Sequence, residues 1–220
     1  SYHDDNHFTF ARAAYHRSQP YLGALWGGDV GEPWWNFANN IANAVRCGFM
    51  GFPNWGTDVG SYGNEPSGRI SEFKYIRWLQ WGVWNGFFEI KIDNSGGRGE
   101  DRPPWKYPES LQKAFRRACD ERMALMPYIY SLLNTSYTTG VLMKPMAYVW
   151  PRDTATHEMW SQYLFGDAFL VAPVFDSSNA RDVYLPEGEW IDYYNREKRY
   201  RGPKLIHVDP PLDHIPVYLK

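Results

Sequence analysis

Only two cysteines, Cys47 and Cys119, occur among 220 residues. Each lies in a stretch with helical periodicity beside apolar neighbours, which fits structural burial better than a disulfide or a metal pair. Positive charge is not in excess either: 23 Lys and Arg stand against 25 Asp and Glu, with no long basic run. That balance excludes nucleic acid and anionic membrane as expected partners. The longest apolar runs, such as 168–174, fall far short of the ~20 residues a spanning helix needs. The six histidines are scattered and form no zinc set with a carboxylate, so no metal and no cofactor is expected. The glycine-rich Ser95-Gly96-Gly97-Arg98-Gly99 leads into Pro103-Pro104 and not into a helix start, which argues against a phosphate cradle.

Aromatic residues, by contrast, are abundant at 18% of the chain, with 11 Trp, 16 Tyr and 12 Phe. Their faces stack on the C–H faces of sugar rings, but they also fill barrel cores. The most informative stretch is Trp26-Gly27-Gly28-Asp29-Val30-Gly31-Glu32-Pro33-Trp34-Trp35. It supports two readings. Glycines can turn the backbone so that a strand end pushes the Asp29 carboxyl into an indole-walled cavity, where an apolar setting keeps it protonated. Alternatively, it is a plain turn whose aspartate caps a helix starting near Trp35 or Asn36.

Along the chain, residues 8–14 read as a short strand and loop, and Asn36 to Cys47 as a helix with Gly48 placed to stop it. A strand over 49–55 ends at Gly56-Thr57-Asp58, a helix over 70–84 follows, and 86–92 is again strand-like. This alternation predicts a parallel sheet with crossover helices. The polar loop 93–105 sits where function collects on a β/α barrel. A long helix from Pro108 to about Leu133 should bend at Pro127. After Gly140 the pattern turns to short strands over 141–150, 168–175, 180–185, 190–194, 205–208 and 215–219, with a short helix over 154–164. Those strands predict an antiparallel sandwich. The expected domains are therefore 1–140 and 141–220, packed tightly because no linker separates them.

The order of motifs resembles glycoside hydrolase family 31, the retaining α-glucosidases, α-xylosidases and related transglycosidases. Carrying it are Phe10-Ala11-Arg12-Ala13, Trp26-Gly27-Gly28-Asp29, Trp55-Gly56-Thr57-Asp58-Val59-Gly60, Arg77-Trp78-Leu79-Gln80, Pro104-Trp105, Met126-Pro127-Tyr128-Ile129-Tyr130, Gly166-Asp167 with Leu170-Val171-Ala172-Pro173-Val174, and Tyr184-Leu185-Pro186-Glu187-Gly188-Glu189-Trp190. The resemblance implies the second half of a (β/α)8 barrel, residues 1–140, followed by part of a β-sandwich domain. It implies Asp29 as acid/base, Trp26 as an aromatic wall, Arg12 as the grip on the sugar hydroxyls, Asp58 as the residue ordering that arginine, and Tyr62 as a lining aromatic.

Two departures matter. Retaining glycosidases use two carboxyl groups roughly 5–5.5 Å apart, and the family's nucleophile motif of Trp-x-Asp type at an earlier strand end is missing here. Trp190-Ile191-Asp192 lies in the β-rich half, and Asp4 and Asp5 read as loop charges. The chain is thus expected to be an internal piece that needs the missing amino-terminal half of the barrel, in cis or as another chain. In the second departure, counting from Arg77 places Glu89-Ile90-Lys91 where the family has Arg-x-His. Lys91 there is either a point donor to the sugar or a partner of Glu89 or Asp93.

The leading expectation is the acid/base half of a retaining α-glycosidase acting on a carbohydrate substrate. A non-catalytic carbohydrate-binding or scaffold fragment is the rival. A transglycosidase or lyase on the same fold is the third reading.

Overall fold

A computed structural model describes residues 8–31, 33–62, 70–90 and 102–220. Within them, β1 (Phe10–Ala11), β2 (Ala24–Trp26), β3 (Trp55–Asp58) and β4 (Phe87–Glu89) form one parallel sheet in chain order. Parallel neighbours need crossovers. Helix α1 (Trp34–Phe49) provides one between β2 and β3, and α2 (Glu72–Val83) another between β3 and β4. The helix α1 buries Phe37, Ile41, Ala44 and Val45 at the spacing of one helical face. For α2 the Ser71 hydroxyl accepts the amide of Lys74 as an N-cap.

The end of α1 differs from expectation. Gly48 lies inside the helix, and its missing side chain serves close approach: a Cβ there would sit 2.1 Å from the carbonyl oxygen of Met143. The stop is Gly51, with φ of +81°. Phe52 donates to the Cys47 carbonyl and Gly51 to that of Gly48, each at 3.0 Å, which satisfies the last helical carbonyls. The strand expected over 49–55 consequently begins only at Trp55.

Helix α3 (Glu109–Thr139) continues through Pro127 and six residues past the expected end. Its last turns hide from apolar periodicity because they are polar and exposed. The hydroxyls of Thr135 and Thr139 bond back to the carbonyls of Ser131 and Thr135 at 3.0 and 2.8 Å.

The carboxy-terminal half holds β5 (Met143–Pro145), a single turn α4 (Met146–Val149), β6 (Tyr163–Phe165), β7 (Phe169–Val171), β8 (Arg181–Asp192), β9 (Arg199–Val208) and β10 (Val217–Leu219). They join antiparallel in the order β5-β6-β7-β10-β8-β9. Among the described residues this is one six-stranded sheet and not two facing ones. The strand expected over 141–150 breaks at Pro145, which has no amide to give the ladder. The helix expected over 154–164 shrinks to a 3-10 turn, Thr154–Thr156, capped by Asp153. The two strands expected over 180–194 are one, because Pro186 to Gly188 forms a bulge between Leu185 and Gly188.

A single buried cluster runs from Phe37 and Trp81 in the parallel half to Tyr163, Val171 and Val217 in the antiparallel half. A buried cation adds to this seam. Arg77, fully buried in α2, donates to Gln80 Oε1 (2.9 Å), to the carbonyls of Pro210 (3.0 Å), Pro211 (3.3 Å) and His214 (2.8 Å), and to Asn179 Oδ1. Burial pulls its pKa down to about 10, against the opposing pull of Asp209 and Asp213, so it is still charged at neutral pH. Arg122 of α3 donates to the carbonyls of Val83 (2.9 Å) and Gly86 (2.6 Å), and to that of Asn85, where α2 ends.

A second contact across the seam is pH-sensitive. Tyr194 donates its hydroxyl to Glu121 Oε1 at 2.7 Å and stacks on His214 at 4.2 Å. Burial raises the Glu121 pKa, while the Tyr194 hydrogen bond and Arg117 oppose the rise. An acid with a raised folded pKa adds stability below its unfolded pKa and loses it as pH rises through the folded one. Glu121→Gln, which still accepts from Tyr194, is expected to raise the melting temperature of the protein at neutral pH by about 2 °C. The gain should vanish below the ordinary carboxylate range. A difference independent of pH in thermal melts would rule this out.

Candidate active site

All four parallel strands end on the same edge of their sheet, and the singled-out residues cluster there. Arg12 follows β1 directly, Asp29 lies three residues beyond β2, and Asp58 is the last residue of β3. Gly28, with φ of +75°, gives the turn that carries Asp29 away from the strand. One guanidinium nitrogen of Arg12 lies 3.4 Å from Asp29 Oδ2, and its Cζ sits 5.2 Å from the centre of the Trp26 ring. Cation, indole and carboxylate thus form one group at the strand tips.

The enclosure differs from that expected for Asp29. Its side chain is 41% exposed and that of Arg12 60%. The neighbouring indoles do not wall it. Trp34 packs against Phe37 and Phe73, at ring distances of 6.0 and 5.8 Å, and Trp35 is 64% exposed. Both belong to the first turn of α1, so their side chains follow that helix. The plain-turn reading also fails in its detail, because Pro33 occupies the N-cap of α1 and no side chain caps it.

Asp58 is the buried carboxylate, with no exposed surface. Glu89, at the tip of β4, is its register partner, so the two point to the same side of the sheet. Beside Asp58, Thr57 accepts from the buried Asn40 amide at 3.1 Å, which fixes β3 against α1. Lys91 lies outside the described residues, as do Asp4 and Asp5.

Tyr62 is tied to the loop of Asp29, because its amide donates to the Val30 carbonyl at 2.8 Å. The loop carrying Tyr62 is in turn held by Arg102, which sequence reasoning passed over. This buried guanidinium donates from Nε to the Gly60 carbonyl (3.2 Å) and from Nη2 to Ser61 Oγ (3.3 Å), and lies 6.0 Å from the Tyr62 ring centre. The Tyr75 hydroxyl fixes the Arg102 carbonyl at 2.8 Å. The signal for it was its place directly before Pro103-Pro104-Trp105, in a loop already expected on the functional edge.

Among the described residues no group of three His, Cys, Asp or Glu is placed to hold a metal ion, and no helix is long and apolar enough to cross a membrane. Both cysteines are free and half-buried; burial pushes the Cys47 thiol up to about 11.

Comparison with known proteins bears on the fold. The family profile described as the Glycosyl hydrolases family 31 TIM-barrel domain matches residues 1–132, and that of the Glycosyl hydrolase family 31 C-terminal domain matches 139–220. The chain is 34% identical over 215 residues to neutral alpha-glucosidase AB of Homo sapiens, covering 96% of this chain and 22% of that protein. It is 29% identical to an alpha-xylosidase of Saccharolobus solfataricus, covering 95% and 28%. A GH31 dextranase of Flavobacterium johnsoniae complexed with glucose superposes with a TM-score of 0.85 at 32% identity, covering 97% of this chain and 27% of that one. The chain thus spans about a quarter of the length of these relatives.

Proposed function

The chain belongs to glycoside hydrolase family 31, and on that premise we propose that it supplies the acid/base half of a retaining α-glycosidase site. The observation that carries this reading is the grouping of Arg12, Trp26 and Asp29 at the strand tips of one parallel sheet. That edge is where β/α barrels place their chemistry. Asp29 protonates the departing glycosidic oxygen and later takes a proton from the attacking water. Arg12 holds it in place and, with substrate bound, turns its donors to the sugar hydroxyls. Trp26 and Tyr62 offer apolar faces to the ring, and the buried Asp58 stiffens the floor beneath. By sequence count Lys91 falls at the family's histidine position, where it would either donate to the glycone or pair with Glu89 or Asp93.

We assign residues 1–140 to the later half of the (β/α)8 barrel and 141–220 to the following β-domain. Strands β1 and β4 are the edges of the parallel sheet among the described residues, and unpaired edges of this kind call for further strands. The rest of the barrel, in cis or in trans, supplies the nucleophile and covers Asp29. A scaffold or sugar-binding fragment is the reading for the 220 residues alone, favoured by the exposure of Asp29.

The experiment follows the anomeric configuration of the first product by NMR, with full-length protein and the 220-residue chain assayed side by side on aryl α-glycosides. Retention by the full-length protein and no turnover by the chain are expected. A β-configured first product would overturn the retaining assignment, and turnover by the chain alone would overturn the split site. Sugar products longer than the substrate would mark a transglycosidase, since water and a sugar acceptor compete for the same intermediate.

A further inference from the structure

The antiparallel sheet carries a cavity of about 500 Å3 that no role described so far uses. Its walls include Trp150, Arg152 and Asp153 from the segment after α4, Tyr184 and Glu187 from β8, and Pro203 from β9. The volume falls within the range of small-ligand sites, about 300–1,000 Å3.

Its aromatic surface is fixed in advance. Trp150 packs on Trp190 with ring centres 6.0 Å apart, and the Lys220 ammonium lies 5.1 Å from the Trp150 ring centre. Tyr184 donates its hydroxyl to Asp153 Oδ2 at 2.7 Å, and the other Asp153 oxygen accepts the Ala155 amide at 3.1 Å. The backbone of Tyr184 is clamped on both sides by the Gln162 amide, at 2.8 and 3.1 Å. Rings held this way lose little freedom when a ligand settles against them.

The charges decide the ligand class. The lining holds Arg152 together with Asp153 and Glu187, so the cavity offers donors and acceptors and carries no surplus of positive charge. A phosphate or nucleotide would need surplus positive charge. A purely apolar ligand would leave three charged groups poorly used. A neutral ring with one apolar face and a rim of hydroxyls satisfies both kinds of wall.

We propose that this cavity is a second carbohydrate-binding site, taking a neutral oligosaccharide. A sugar face lies against Trp150 and Tyr184, and its hydroxyls reach Asp153, Glu187 and Arg152. It takes its ligand class from the family reading but none of its geometry from Asp29.

The test uses full-length protein in affinity electrophoresis through gels containing dextran or soluble starch, with hydrolysis of a small aryl α-glycoside measured in parallel. Trp150→Ala is expected to weaken retention by one of these glucans at least about tenfold, the loss typical of an aromatic anchor. Aryl-glycoside hydrolysis should stay as in wild type, which separates this site from the one at Asp29. Should Trp150→Ala lower the melting temperature, Glu187→Ala, an exposed change, decides in its place. Wild-type protein that neither glucan retards, or retention unchanged in both variants, would overturn the proposal. So would loss of aryl-glycoside hydrolysis in Glu187→Ala.

Discussion

Asp29→Asn in the full-length protein is expected to lower turnover of unactivated α-glycosides by about 10²–10⁴-fold, the range for loss of a positioned acid/base. Asparagine keeps the size and one acceptor oxygen, so binding of the sugar should change far less than kcat. The pattern across substrates is more telling than the size of the loss. An aryl glycoside with an acidic leaving group needs no proton for the first step, so its glycosyl-enzyme should form and then accumulate. A burst of released phenol followed by slow turnover would show this. Azide, which attacks without a general base, should restore turnover by giving a glycosyl azide. Hydrolysis of unactivated substrate within a factor of about ten of wild type would remove Asp29 from the acid/base role.

Arg77→Ala should be the most damaging single change to the fold. It removes the donor to three backbone carbonyls, Gln80 and Asn179, and takes away a cation that attracts Asp209 and Asp213. Breaking one side of a buried charged network costs about 3–5 kcal/mol. In a domain of this size that is roughly a 10 °C drop in melting temperature. Lysine should not rescue it, because a point ammonium cannot serve acceptors spread across a planar fork. The segment 209–214 should also become the first site of limited proteolysis, since its carbonyls lose the group that holds them. A melting temperature within about 2 °C of wild type, with that segment as resistant as before, would contradict this account.

How much of this was legible in the sequence depended on the range of each interaction. The face of α1 was readable because Phe37, Ile41, Ala44 and Val45 repeat at helical spacing. The order of β1, β3 and β4 was readable because helical segments alternate with them, whereas β2, three residues long, has no strand-like run of its own. Their limits were not, since two to four residues carry too little pattern to locate an end. Gly48 misled for a different reason: a glycine near a helix end suggests a stop, whereas this one makes room for a strand 95 residues later in the chain. In the candidate site, motif order singled out Arg12, Trp26 and Asp29, and the structure brings their side chains together. The openness around Asp29 was not, because indoles adjacent in sequence were assumed to be adjacent in space. Arg102 escaped notice because it acts mainly on a backbone carbonyl and a serine hydroxyl. Groups of that kind leave no pattern in a sequence.

The buried cluster that runs unbroken from Phe37 to Val217 bears on hybrids between relatives. A crossover placed between 132 and 139, where the two family profiles meet, would join side chains that were never selected to fit one another. Its first effect would fall on α1, whose Gly48 touches β5 and whose opening turn lies only five residues beyond Asp29. Hybrids that exchange the whole of 1–220 as a block should keep the parental geometry at Asp29. Those cut at the seam should lose it even when every residue at the strand tips is retained.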